Sequence, residues 1–172
     1  LQSQSSGVIP YEPFNTTIML SEFPLINSWI FFHQFHSPST GQYNFMRIFT
    51  TPSSTNSFSG TLTGLIYSDI PGNPGTPSLN PVGMGQVTFV NENLDLSYID
   101  IQFDTPVNLI ANNRYWVALS VEVETGGNLV FTGFHNDYHG IYNIVKYQDN
   151  SNSEFQAENV LQGEYAFWFR IY

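Results

Sequence analysis

What most constrains this chain is the rhythm of its apolar residues. Runs rich in Val, Ile, Thr, Tyr, Phe and Trp recur at short intervals and are broken by clusters of Gly, Pro, Asn and Ser, the pattern of many short strands joined by turns. No segment carries the period of a long helix. The runs that read as strands are TTIMLSEF (16–23), SWIFFHQF (28–35), YNFMRIFT (43–50), TLTGLIYS (61–68), GQVTFV (85–90), YIDIQF (98–103), RYWVALSVEV (114–123), NLVFTGF (128–134), YNIVKY (142–147) and EYAFWFRIY (164–172). In the seventh, Trp116, Ala118 and Ser120 oppose Tyr115, Val117 and Leu119; in the last, Phe167, Phe169 and Ile171 share one face, which is assigned to the core. So many strands exceed what one open sheet carries comfortably, and an all-β, two-sheet antiparallel β-sandwich of jelly-roll-like form is the simplest closure.

The punctuation agrees with this. SPSTG (37–41), TTPSSTNSFSG (50–60) and TGG (125–127) suit links between antiparallel neighbours, and DIPGNPGTPSLNPVG (69–83) is dense enough in Pro and Gly to be expected as a rigid surface excursion. Neither an internal repeat nor an interdomain linker is evident. The chain divides into an N-terminal arm, residues 1–14, and one sandwich domain, residues 15–172.

Composition narrows the function classes. Charged residues make up 10% of the 172 residues, against about 25% in an average domain, so the polar surface must be built mainly of Asn, Ser, Thr, Gln and Tyr, as suits a secreted, extracellular or surface-exposed protein. The formal net charge is -10, and Arg47, Arg114, Lys146 and Arg170 are the only permanent cations. Such a chain repels phosphate backbones, which argues against nucleic acid. No apolar run approaches the roughly 20 residues needed to span a bilayer, so membrane insertion is not expected. With no cysteine, disulfides and thiol chemistry are excluded. Leu1 in place of an initiator Met marks either a piece cut from a longer chain or a mature protein whose signal segment has been removed, and the second is the preferred expectation.

Three segments, LIYSDIPGNPGTPSL, PVNLIANNRYWVALSV and GEYAFWFRIY, lie in this order over roughly residues 60–172. Together they resemble the extracellular jelly-roll-like domains of the choice-of-anchor type, found in bacterial and archaeal surface proteins. The resemblance implies a β-sandwich on an outer surface and carries no catalytic residues.

Candidate chemistry is sparse. His33 and His36, three apart on a strand, point to opposite faces and cannot share an ion. His135, Asp137, Tyr138 and His139 fall in a turn-like stretch, FHNDYHG, that suits either a three-ligand metal site or a sugar-contacting loop. Asp69, Asp95, Asp100 and Asp104 are candidates for Ca²⁺, none with EF-hand spacing, and ordinary surface charge is the simpler reading. Glu122 and Glu124 share one face of one strand and read as exposed charge rather than as a glycosidase pair. No G-x-S-x-G elbow, H-E-x-x-H helix or phosphate loop occurs. Trp116 and Trp168 are expected in the core, whereas Tyr43, Tyr138 and Tyr142 are expected as exposed contacts. Asn15 begins the one N-x-S/T sequon.

These features point to a non-enzymatic structural subunit that assembles with copies of itself in a filament, surface layer or virion, needing no cofactor. The polar arm supplies the means. Val8, Ile9, Tyr11 and Phe14 would enter a neighbour's apolar grooves while the arm adds to its sheet. The same sandwich, low charge and Tyr- and Asn-bearing loops also support a carbohydrate-binding or adhesive lectin-like module.

Overall fold

Strict alternation of side chains is the device that builds this domain, and in the computed structural model it produces strands throughout. The structure describes residues 8–10, 20–25, 29–49, 58–72, 75–92, 98–125, 129–135, 142–147, 159–162, 165–167 and 169–172. Among them there is no helix. The strands are β1 (Leu20–Leu25), β2 (Trp29–His36), β3 (Gly41–Phe49), β4 (Phe58–Ile70), β5 (Thr76–Glu92), β6 (Tyr98–Leu109), β7 (Arg114–Thr125), β8 (Leu129–His135), β9 (Tyr142–Tyr147), β10 (Asn159–Gln162), β11 (Tyr165–Phe167) and β12 (Phe169–Ile171). Each of the ten runs read from sequence overlaps a strand, the last of them two, β11 and β12, while residues 16–19 of the first lie outside the described residues; β10 had no counterpart among them.

All pairings are antiparallel. One sheet has the order β10-β9-β2-β7-β4-β5, and two shorter ladders have the orders β1-β8-β11 and β12-β3-β6. The closing segment joins the two ladders, because β11 pairs with β8 and β12 pairs with β3. The result is a two-layer β-sandwich. Its core holds Met46 and Ile48 from β3, Ile99, Ile101 and Phe103 from β6, and Phe169 and Ile171 from β12, packed against Leu62, Ile66, Val117, Leu119 and Val121 of the six-stranded sheet. Each such side chain stabilises the fold by roughly 1.5–3 kcal/mol through the apolar surface it removes from water. Phe169 stands edge-on to both Phe35 and His33 across the layers.

The central strand β7 is buried on both faces. Tyr115, Val117, Leu119 and Val121 face the inter-sheet core, while Trp116 and Ala118 join a second cluster with Ile30, Phe32, Leu65 and Tyr67 on the opposite face of the sheet.

The excursion expected over residues 69–83 is shorter than the sequence suggested. β5 begins at Thr76, and both Pro77 and Pro81 lie within it, pairing with Asp69 and Tyr67 of β4. The reason is position: β5 is an edge strand, and its register with β4 shifts at Ile66/Tyr67 and Tyr67/Asp69. An edge and a bulge are the two places where a residue without an N–H donor fits a sheet.

Candidate functional site

Three constellations of polar side chains stand out, and each is placed by strand register. The first braces the turn after β4. Asp69 ends its outward-facing row beside Arg114 and Trp116 at the start of β7. Arg114 donates from Nε and Nη2 to Asp69 Oδ2 at 3.0 and 2.9 Å, and Trp116 Nε1 donates to Oδ1 at 2.7 Å. Arg114 Nη2 also reaches the Gly72 carbonyl at 3.2 Å, tying the turn to the sheet. The Asp69 side chain is only 7% exposed, so both oxygens need these donors to offset their lost hydration. Gly75 closes the turn at φ 89°; a Cβ there would stand 2.6 Å from Asp69 Oδ1, so the position accepts no side chain. Two segments more than forty positions apart in sequence thus meet at one carboxylate. Asp69 was a candidate calcium ligand, and here Arg114 is the cation that rigidifies its turn.

The second constellation covers the outer face of β12-β3-β6. Cross-strand register sets Arg170 beside Arg47 and Arg47 beside Asp100. On one side of that row, Phe45 lies opposite Gln102 and stacks on Tyr172 with centroids 5.3 Å apart; on the other, Phe49 lies opposite Tyr98. Arg47 grips Asp100 through two bonds, Nε to Oδ1 at 2.8 Å and Nη2 to Oδ2 at 3.0 Å. Its guanidinium lies 4.1 Å from the Tyr98 ring centroid and 5.6 Å from that of Tyr172, while Arg170 lies 4.8 Å from the Tyr172 centroid. The bond to Asp100 raises the Arg47 pKa above its ordinary value. Burial, and then the Asp100 charge, push the Tyr172 hydroxyl up.

The third constellation is at the end of the sandwich where β2, β4 and β6 finish. The turn at residues 37–40 bonds to the turn at 110–113: Ser37 N–H donates to the Asn113 carbonyl at 3.0 Å, Asn112 N–H to the Ser37 carbonyl at 2.8 Å, and Ala111 N–H to Thr40 Oγ1 at 2.9 Å. Against this pair of turns lie residues 8–10 of the arm. Ile9 N–H donates to Ser39 Oγ at 2.8 Å, and Tyr43 Oη donates to the Ile9 carbonyl at 2.8 Å. Val8 packs against the core beside Gly41, where any Cβ would collide with its Cγ1.

The residues singled out from sequence fare unequally. Val8 and Ile9 lie against their own domain, while Tyr11 and Phe14 fall outside the described residues. His135 ends β8 opposite Tyr165; Asp137, Tyr138 and His139 fall outside the described residues, as do Asn15, Asp95 and Trp168. His33 is buried and His36 exposed, as their opposite faces require. Glu122, Glu124 and Asp104 are exposed. Trp116 is fully buried. Tyr43, expected as an exposed contact, is instead fully buried, because it lies inside β3 with its hydroxyl under the arm and beside Ser39. Among the described residues no group of three or more His, Cys, Asp or Glu could hold a metal ion. Sequence reasoning missed the Arg47, Arg170 and Tyr98 surface altogether. The signal was present: Arg47 and Arg170 each have an aromatic residue two positions away on both sides, in FMRIF and FWFRIY.

No family model matches the chain, and no curated protein matches it. Among solved structures it is similar to an arabinose-bound α-L-arabinofuranosidase, at 13% identity and a TM-score of 0.24 over 77% of this chain. The match covers 21% of that enzyme's chain, and a likeness so slight carries no argument about fold or activity.

Proposed function

We propose that this chain is a non-enzymatic extracellular structural subunit that assembles with copies of itself by placing its N-terminal arm on a neighbour. The observation that carries the reading is the seat for Val8 and Ile9. Ser39 and Tyr43 bind only the main chain of Ile9, and Gly41 leaves space for one small apolar side chain, Val8. A seat built this way accepts the arm of its own chain and that of a second copy with the same contacts, which is the condition for exchange between protomers. An empty seat would uncover the apolar surface beside Gly41 that Val8 covers and would release both bonds to Ile9, which favours occupancy. The low charge of the chain and its resemblance to surface domains agree with an extracellular setting and with a role in a filament, layer or virion.

Deleting residues 1–14 tests the reading. The truncated chain is expected to fold, as judged by a thermal melt, but to lose the larger species that light scattering and electron microscopy detect in the full chain. Identical monomers in both preparations would reject assembly and leave a carbohydrate-binding or adhesive module as the reading to pursue.

A further inference from the structure

We infer that β5 is a self-association edge, pairing antiparallel with β5 of a second copy about a two-fold axis at Gln86 and joining two six-stranded sheets into one. β5 ends its sheet, and among the described residues no strand pairs with its other side. It is also the longest strand described, Thr76–Glu92. Such an edge presents a row of unused N–H and C=O groups, and soluble domains blunt it with charge, proline or bulges. Here charge is absent: in a chain of formal net charge -10, residues 76–91 carry none. The prolines and the bulges leave one stretch open. From Gly83 to Phe89 the ladder with β4 is regular, and its register shifts lie on either side, at Ile66/Tyr67 and Phe58/Gly60 of β4. That stretch has no proline and has Gln86 at its centre.

Self-complementarity selects the partner. With the axis at Gln86, Val82 of one copy faces Val90 of the other at both ends of the stretch, and Met84 faces Thr88 between them. Val82 is 45% and Val90 69% exposed, and Met84 is exposed as well; with Gln86 and Thr88 they form the solvent-facing row of β5. Pairing covers these apolar side chains against one another and adds about six backbone hydrogen bonds. The other face of β5 is already closed: a Cβ on Gly83 would collide with Val107, and one on Gly85 with the Gln102 carbonyl, so β5 lies directly on β6. Two copies of an acidic chain repel each other, and they approach at least cost along a border that carries no charge. A basic partner gains nothing from such a border.

The axis lies on β5 and not at the seat of the arm, so the inference goes beyond the assembly reading and does not rest on it. Because the chain has no cysteine, a single introduced thiol reports the contact. In the full chain, Gln86→Cys meets its own copy across the axis, whereas Glu122→Cys, exposed on β7 two strands inward, does not. With a short bismaleimide, Gln86→Cys is expected to give covalent dimers at least about tenfold faster than Glu122→Cys, since paired thiols are held at high effective concentration. Charge gives the second measurement. Gln86→Lys and Gln86→Glu each set like charges opposite one another and are expected to weaken dimerisation about tenfold in sedimentation, while an equal mixture of the two restores it. Both variants, altered at an exposed side chain, should keep the wild-type strand spectrum. Equal cross-linking at 86 and 122 would overturn the proposal, as would Lys and Glu variants that dimerise as the unaltered chain does or a mixture that recovers nothing. Deleting residues 1–14 separates the two readings: cross-linking at 86 should persist without the arm, and larger species that need the arm but show no cross-link at 86 would reject the β5 pairing and leave the assembly reading standing.

Discussion

Two arginine–carboxylate pairs, one on each sheet, are built from the same groups and serve opposite ends. Asp69 has a 7% exposed side chain and spends both oxygens on Arg114 and Trp116. Asp100 is 34% exposed and Arg47 25%, and their partners are rings lying open on a sheet face. The first pair is closed: every polar atom of the carboxylate is answered from within, and the arrangement fixes the course of the chain through a Pro- and Gly-rich turn. The second is open, with charge and aromatic surface presented to solvent. Burial around the pair, rather than the pair itself, separates a closed brace from an open surface.

The contrast can be broken by substitution. Asp69→Ala is expected to have the largest effect, a loss of about 2–3 kcal/mol in urea unfolding, because it strands the Trp116 N–H and the Arg114 charge. A loss below about 1 kcal/mol would mean that solvent reaches the turn and that the two pairs are alike. Asp100→Ala should cost about 1 kcal/mol or less, since exposed ion pairs contribute little and are screened; repeating the measurement at high salt should shrink the difference further.

The smallest effect sharpens the comparison through pH. Burial alone raises the Tyr67 pKa, whereas charges on Asp100 and Arg47 also act on Tyr172. A tyrosine whose folded pKa lies above its unfolded value of about 10 contributes stability that is complete below about pH 10 and is lost as pH rises through the folded value. Tyr67→Phe should therefore flatten the alkaline fall in the urea midpoint to the same extent at low and high salt. A salt-dependent change would show that charge, not burial, governs that site.

Much of the architecture was legible because period-two alternation survives in short windows. Ile99, Ile101 and Phe103 declare their face within YIDIQF, and Phe169 and Ile171 do so in the closing run. The start of β5 was hidden because Pro77 and Pro81 are read as strand breakers unless the strand is known to be an edge, and edges are set by topology. Tyr43 was misread for a related reason, since its cover comes from residues over thirty positions earlier. The arginine row needed register between residues 47, 100 and 170, which no local pattern encodes. Asp69 lay between: its motif was visible, but the donors that use its carboxylate come from 45 and 47 positions away.

The placement of β7 also dictates when this domain can form. Its partners β2 and β4 precede it in the chain and both need it as their common neighbour, so they stay apart in a nascent chain until residues 114–125 have been made, and the six-stranded sheet is complete only with β10 at residues 159–162. The opposite layer waits longer still, for residues 165–171 to connect β8 with β3. Pairings this distant in sequence make folding slow, and they delay it until residue 171 has been made. Until their partners are made, the unpaired edges of β2 and β4 stay open to other chains, so the domain is most exposed to aggregation before its last strands are in place.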